Sequence, residues 1–540
     1  MDKNGTLPKY YLYIPLLIAA FLYLFGIMRT DLWTPDEPRY AEVAREMVES
    51  GNYIQPHLNG KPYTEKPPLF FWTVVAGAKV FGGVNQLAVR LPSILSALGI
   101  LALLIAFVSE NFDRKKAFLA AIILCVSPEF FWLARSGHID MLLTFLITAS
   151  LTSFYKWYDR GRYGYLILFY LCLSLATFAK GPVGMLLPVM VVVSFLSFRK
   201  EWGRIKKMHF YIGLPMALIV VLAWYIPAMR QSSGYEMEHI VQRQIIGRIF
   251  HPTSHGVSML YWPFYQFKSL SFGMAPWSFL LPWGVVYAYR SRRREAPLFF
   301  LFCWAGVIFA FFTLIASKRE VYILPMYPAG AALIALWIYR PVQSFNLKPV
   351  RVMLASFGVI LMSAFVVAAI NLKQSHPGKP LYSLDVGSVA IFVGAGAFAV
   401  AVAIFGRKLK YIVVATIGVS LIALTVIIVS VLPLINEYKS PLKICNIYNH
   451  NKDTNSEIAM LRGTRAEYVF YTKSIIKPVE SEEELKEFFN SSRKMFCFVR
   501  ERDYKRGLAN PDFPLYVKAR MRVSSRIMML LCNQDISPKK

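Results

Sequence analysis

Residues 163–198 read YGYLILFYLCLSLATFAKGPVGMLLPVMVVVSFLSF, two apolar runs of span length hinged on Ala179-Lys180-Gly181-Pro182. A bilayer core about 30 Å thick needs about 20 apolar residues in helical form, because each backbone N–H and C=O must find its partner inside the segment. Both runs meet that need, and the short hinge allows only a tight hairpin. The pattern recurs to either side. Spans are expected at 10–28, 87–109, 117–136, 139–155, 163–179, 182–198, 209–229, 262–289, 297–316, 321–339, 352–371, 387–406 and 411–433, thirteen in all. The first reads as a span rather than a cleaved leader, since no small-residue cleavage site follows it and many spans do. The fold class is therefore mainly α and polytopic.

Composition agrees. Of 540 residues, 56% are hydrophobic and only 17% charged, with a mean hydropathy of +0.43. Soluble domains run at about 45–50% apolar and about 25% charged. A cytosolic globular enzyme is excluded, and so is a disordered chain, which needs low hydrophobicity. The net charge of +28 invites a nucleic-acid reading, but the positions of the charges answer it. With the N-terminus inside, the cytoplasmic segments hold 23 Lys or Arg against six Asp or Glu. That asymmetry is the positive-inside signal. The basicity orients helices, no nucleic-acid partner is expected, and an odd number of spans places the C-terminal segment outside. A transporter would show ionisable residues in mid-span and inverted repeats. No inverted repeat is evident and the spans hold almost no Asp, Glu, Lys or Arg at their centres; the unusual polar residues cluster at the outer helix ends and in the outer loops.

Two domains are expected, a membrane part over 1–434 with outer loops 29–85 and 230–261, and an outer α/β domain over 435–540. In the first loop, Pro38–Ser50 carries Tyr40, Val43, Ala44, Met47 and Val48 at helical spacing, an amphipathic helix expected to lie on the membrane surface and to end at Gly51. In the tail, YVFYT (468–472), MFCFV (495–499), PLYVKA (514–519) and RIMMLL (526–531) read as strands, and SEEELKEFF (481–489) as a helix. Ser481 with Glu484 has capping-box spacing. The six cysteines show no metal-ligand spacing. Among Cys445, Cys497 and Cys532 at most one disulfide can form.

The densest outer cluster is Trp33-Thr34-Pro35-Asp36-Glu37-Pro38-Arg39-Tyr40, where two prolines stiffen the backbone around two adjacent carboxylates. Such a carboxylate can act as general base on an acceptor hydroxyl, or simply suit a helix N-terminus. Tyr63-Thr64-Glu65-Lys66-Pro67-Pro68 follows, with Lys66 suited to an anionic headgroup or to snorkelling. Asp140 opens the fourth span, as a second outer carboxylate or as a cap. Lys180 occupies the hairpin, Arg243 and Arg248 the second long loop, and Lys318-Arg319-Glu320-Val321-Tyr322 the end of the tenth span. Several cations together suit a phosphate, Arg as a planar fork and Lys as a point charge.

On these residues the chain resembles the GT-C membrane glycosyltransferases of the protein O-mannosyltransferase superfamily. Within that group it is most similar to the bacterial 4-amino-4-deoxy-L-arabinose lipid A transferases. The resemblance rests on Pro35 to Glu42, Gly60 to Pro67, Ala179-Lys180-Gly181, Gln242 to Phe250, and Ser317-Lys318 to Pro325. It implies transfer of one sugar, with inversion, from a polyprenyl-phosphate carrier to lipid A or a related envelope glycan on the outer face of a bacterial inner membrane. Asp36, Glu37 and Asp140 would be the catalytic acids. Lys66, Arg248, Lys318 and Tyr322 would hold the carrier phosphate, with Arg243 competing for the Arg role, and Arg39, Tyr40 and Glu65 would shape the first loop. Some relatives hold a divalent metal in these loops; Glu65, His251 and His255 are the available ligands here, and no metal ligand set is assigned. The alternatives are transfer to protein or a glycan, and lipid or oligosaccharide flipping without covalent chemistry.

Overall fold

The computed structural model describes residues 7–63, 65–231, 262–291, 295–315, 317–340, 346–375, 386–508 and 513–535. The protein is mainly helical, and among the described residues seven helices are long and apolar enough to cross a membrane. An eighth is added if the bent pair Arg114–Cys125 and Pro128–Ala134 is one span. Every expected span coincides with helical backbone, but two are not straight rods. The segment expected over 117–136 bends by 71° where Ser127-Pro128 interrupts it. The segment expected over 262–289 is two helices, Trp262–Gly273 and Leu281–Arg290, separated by a stretch holding Pro276. Proline removes a donor and crowds the preceding turn, so both breaks fall where the residues dictate.

The chain forms two compact units. The first comprises residues 1–27, 64–70 and 90–431. At its heart lies Ile139–Arg160, a helix buried along nearly its whole length. Being wrapped by protein, it tolerates Thr144, Thr148, Ser150, Thr152 and Ser153. Ser150 Oγ bonds Phe169 O of the next helix at 3.2 Å and Thr152 Oγ1 bonds Thr148 O at 2.8 Å. Phe154, Tyr155, Phe195 and Phe300 interlock around it with ring centroids 5.0–6.4 Å apart.

The second unit joins residues 28–63 and 71–89 to 432–540. A two-residue Asn59-Gly60 turn closes the hairpin β1 (His57–Leu58) and β2 (Lys61–Pro62). The tail holds a five-stranded sheet of order β4-β3-β5-β7-β6, from β3 (Glu457–Leu461), β4 (Ile476–Val479), β5 (Met495–Arg500), β6 (Tyr516–Val523) and β7 (Arg526–Cys532). β3 pairs in parallel with β4 and β5, and β7 antiparallel with β5 and β6. A parallel pair needs a crossover. Residues 468–472, expected as a strand, therefore belong to the helix Ala466–Thr472 that links β3 to β4. There the crossover overrides the β-propensity of Tyr, Val and Phe. The helix Glu482–Phe489 is capped as expected, Ser481 Oγ accepting from Glu484 N at 3.2 Å. All six cysteines are free and buried.

The amphipathic helix gains a partner beyond expectation. It runs Glu37–Ser50, ends at Gly51 with φ +69°, and packs against the helix Ala466–Thr472, a contact the sequence pattern alone did not give. Tyr40, Val43, Ala44 and Met47 are all buried. An amphipathic stripe reports one buried face without saying what buries it.

Candidate functional site

In the second unit, Asp36 stands at the N-terminus of the Glu37–Ser50 helix. Residues three and four further on share its face. Arg39 Nη2 accordingly ion-pairs with Asp36 Oδ1, and the Tyr40 hydroxyl donates to the same oxygen at 3.4 Å. The Arg39 guanidinium also lies 5.4 Å from the centroid of the Tyr40 ring. Tyr40 in turn packs on Phe71, which meets Tyr63 edge-on. Glu37 turns the other way, its Oε2 accepting from Trp33 N at 3.2 Å. Asn436 gathers the approach to this helix, its Oδ1 accepting from Asp31 N at 2.8 Å and Trp33 Nε1 at 2.7 Å. The Tyr471 hydroxyl accepts from Leu32 N at 2.7 Å. Behind the acids, Arg45 binds fully buried Glu42 through Nε at 2.8 Å and Nη2 at 2.6 Å, and reaches Glu49 as well.

The first unit holds the second cluster. Asp140 lies in the first turn of Ile139–Arg160, 3% exposed. Its Oδ1 pairs with Lys180 Nζ, and its Oδ2 lies 3.1 Å from His138 Nδ1. Lys180 is delivered by the hairpin between the helices Tyr163–Lys180 and Val183–Phe198. Gly181 turns the chain at φ +93°, a conformation L side chains rarely adopt. A Cβ at Gly184 would meet the Ala176 backbone at 2.2–2.3 Å, so only glycine lets the two helices close there. The ammonium also sits 4.6 Å from the centroid of the Tyr322 ring, which packs on Phe312.

Lys318 is placed differently from a free phosphate ligand. Its Nζ donates to Phe312 O at 2.8 Å and Thr313 O at 2.7 Å, the closing carbonyls of the helix Ala296–Leu314. Burial pulls its ammonium down to about 8. Lys66 is buried and Glu65 exposed. Arg243, Arg248, His251 and His255 lie outside the described residues. Among the described residues no three His, Cys, Asp or Glu side chains gather as a metal would require.

Thus Asp36, Arg39 and Tyr40 come together, and so do Asp140 and Tyr322 through Lys180. Sequence reasoning passed over His138 and Glu129 as partners. Glu129 follows the Ser127-Pro128 break and accepts from the Tyr327 hydroxyl at 2.6 Å. The signal available for it was an acid inside an otherwise apolar span.

The family model described as dolichyl-phosphate-mannose-protein mannosyltransferase matches residues 65–226. An undecaprenyl phosphate-alpha-4-amino-4-deoxy-L-arabinose arabinosyl transferase of Proteus mirabilis is 30% identical over 381 residues, 68% of this chain and 66% of that protein. An uncharacterized protein of Aquifex aeolicus is 31% identical over 382 residues, covering 69% of this chain and 71% of its own length. The fold matches the crystal structure of ArnT from Cupriavidus metallidurans bound to undecaprenyl phosphate, with a TM-score of 0.82 and 19% identity over 99% of this chain and 100% of that one.

Proposed function

The chain belongs to the aminoarabinose transferase family of GT-C membrane glycosyltransferases, and we propose that it moves 4-amino-4-deoxy-L-arabinose from undecaprenyl phosphate to lipid A. The observation that carries this reading is the 381-residue match to the Proteus transferase. In this reading the helical segments cross the inner membrane thirteen times, with the N-terminus cytoplasmic. Residues 1–434 form the catalytic membrane part and 435–540 an outer domain that supports the first loop.

The acceptor oxygen attacks the anomeric carbon as the bond to the carrier phosphate breaks, which inverts the configuration. The bond's electron pair leaves on the phosphate. Lys66 and Arg248 stabilise that developing charge, the electrostatic help that dominates such steps; Tyr322 assists them, while the Lys318 ammonium is held on the Phe312 and Thr313 carbonyls. A lipid A phosphate is already ionised and needs no base. Asp36 then serves the positive character that grows on the sugar, and it would take the proton from a hydroxyl acceptor. Arg39 and Tyr40 fix its carboxylate, Glu37 and Glu65 hold the loop, and Asp140 is positioned by Lys180. No step is assigned to a divalent metal.

The test is reconstitution of the purified protein in liposomes with lipid A and the undecaprenyl-phosphate aminosugar. A mass gain of one aminopentose on lipid A with matching release of undecaprenyl phosphate is expected. Neither product would overturn the reading.

A further inference from the structure

An amino sugar brings a positive charge into the first unit, and a cation leaving water needs a carboxylate that no other cation already neutralises. Three buried acids of the two clusters are paired with cations, Asp36 with Arg39, Glu42 with Arg45 and Asp140 with Lys180, while Glu37 accepts from Trp33 N. Glu129 differs. Its hydrogen-bond partner is a hydroxyl, Tyr327 Oη at 2.6 Å, and among the described residues no Lys or Arg forms an ion pair with it. Among the described residues Glu320, Asp140 and His138 lie near enough to act on its charge. Glu129 also keeps partial exposure, whereas Tyr327 is fully buried and Asp140 is 3% exposed.

Two further features make this a built arrangement. The 71° bend at Ser127-Pro128 turns the Pro128–Ala134 helix, which carries Glu129 in its first turn. The end of the helix Trp262–Gly273 then abuts the pair closely. A Cβ on Gly273 would come within 2.0 Å of Tyr327 Oη and 2.4 Å of Glu129 Oε2. An acid held by a tyrosine, without a Lys or Arg partner among the described residues and still partly exposed, matches an ammonium group.

We propose that Glu129, oriented by Tyr327, is the subsite for the ammonium of the donor sugar and sets the preference for an amino sugar over its hydroxyl counterpart. This deepens the reading above and rests on it. The ammonium donates to the carboxylate without forming a covalent bond, and Tyr327 is a positioning residue.

The experiment measures binding and turnover separately, with two donors: undecaprenyl phosphate carrying the 4-amino sugar, and the same carrier with a 4-hydroxyl. Wild type, Glu129→Gln and Glu129→Asp are compared in nanodiscs. In Glu129→Gln the affinity ratio of amino to hydroxyl donor falls about tenfold or more, as expected when a charged hydrogen bond is lost. Binding of the hydroxyl donor stays within about twofold, which also shows that the variant is folded, and Glu129→Asp lies between. Equal loss for both donors, or wild type binding both alike, overturns the subsite. Preferential binding without transfer to lipid A would sink the proposed reaction and keep the subsite.

Discussion

The Asp36 cluster is written in consecutive residues, whereas the Asp140 cluster is assembled from separated segments. Asp36, Arg39 and Tyr40 meet because a helix brings residues three and four apart onto one face. Asp140, Lys180 and Tyr322 meet because a glycine hairpin and a second pair of helices deliver them. The first is a local ion pair with its arginine partly in solvent, the second a deeply buried one. The side chains of Asp140 and Lys180 are 4% and 10% exposed, against 24% for that of Arg39. Similar chemistry thus carries different structural debts, and the two acids should fail in different ways.

The largest effect is expected at Asp140. Asp140→Asn leaves the Lys180 ammonium buried without its counter-charge, which costs about 3–5 kcal/mol. The variant should lose thermal stability in detergent as well as all transfer. Adding Lys180→Met should restore much of the stability and none of the activity. If the single variant melts like wild type, the contrast between the clusters is broken. Next comes Asp36→Asn, which should melt closer to wild type than Asp140→Asn does, since the Arg39 it leaves behind is partly in solvent and can be hydrated. Transfer should nevertheless fall ~10²-fold or more, the scale for removing one preorganised electrostatic group. A large loss of stability with transfer intact would reverse the assignment of roles.

The same division decides what could be read in advance. The helical nature of the apolar runs, the Pro38–Ser50 helix with its Gly51 stop and the Ser481 cap are local patterns, and the structure contains each, with seven helices of span length among the described residues. The breaks at Pro128 and in 262–289 were visible as prolines and glycine but lay inside apolar runs whose length spoke louder. Residues 468–472 misled because their strand propensity yields to a crossover that depends on β3 and β4 being parallel. The partner of Asp140 could not be chosen from several outer cations, since the choice depends on how closely Gly184 lets two helices approach. Nor does one amphipathic stripe distinguish lipid from the tail helix packed against it.

The smallest expected effect is a difference in sign. Burial raises the Glu42 carboxyl to about 7 from an ordinary 4.5, Arg45 opposing it. Between those values the folded chain keeps a proton that the unfolded chain has released, so the contribution of Glu42 to stability falls as pH rises. Burial lowers Lys318 to about 8 from 10.5. Between those values the unfolded chain holds the extra proton, so stability at Lys318 rises with pH. Hydrogen exchange, corrected for the intrinsic pH dependence of the chemistry, can follow Ala41–Met47 in one unit and Phe312–Leu314 in the other. Protection in the first should weaken from pH 4.5 to 7 and strengthen in the second from pH 8 to 10.5. Glu42→Gln should flatten only the first slope and Lys318→Met only the second. Slopes of the same sign in the unmodified protein would show that at least one of the two groups does not dominate its own region.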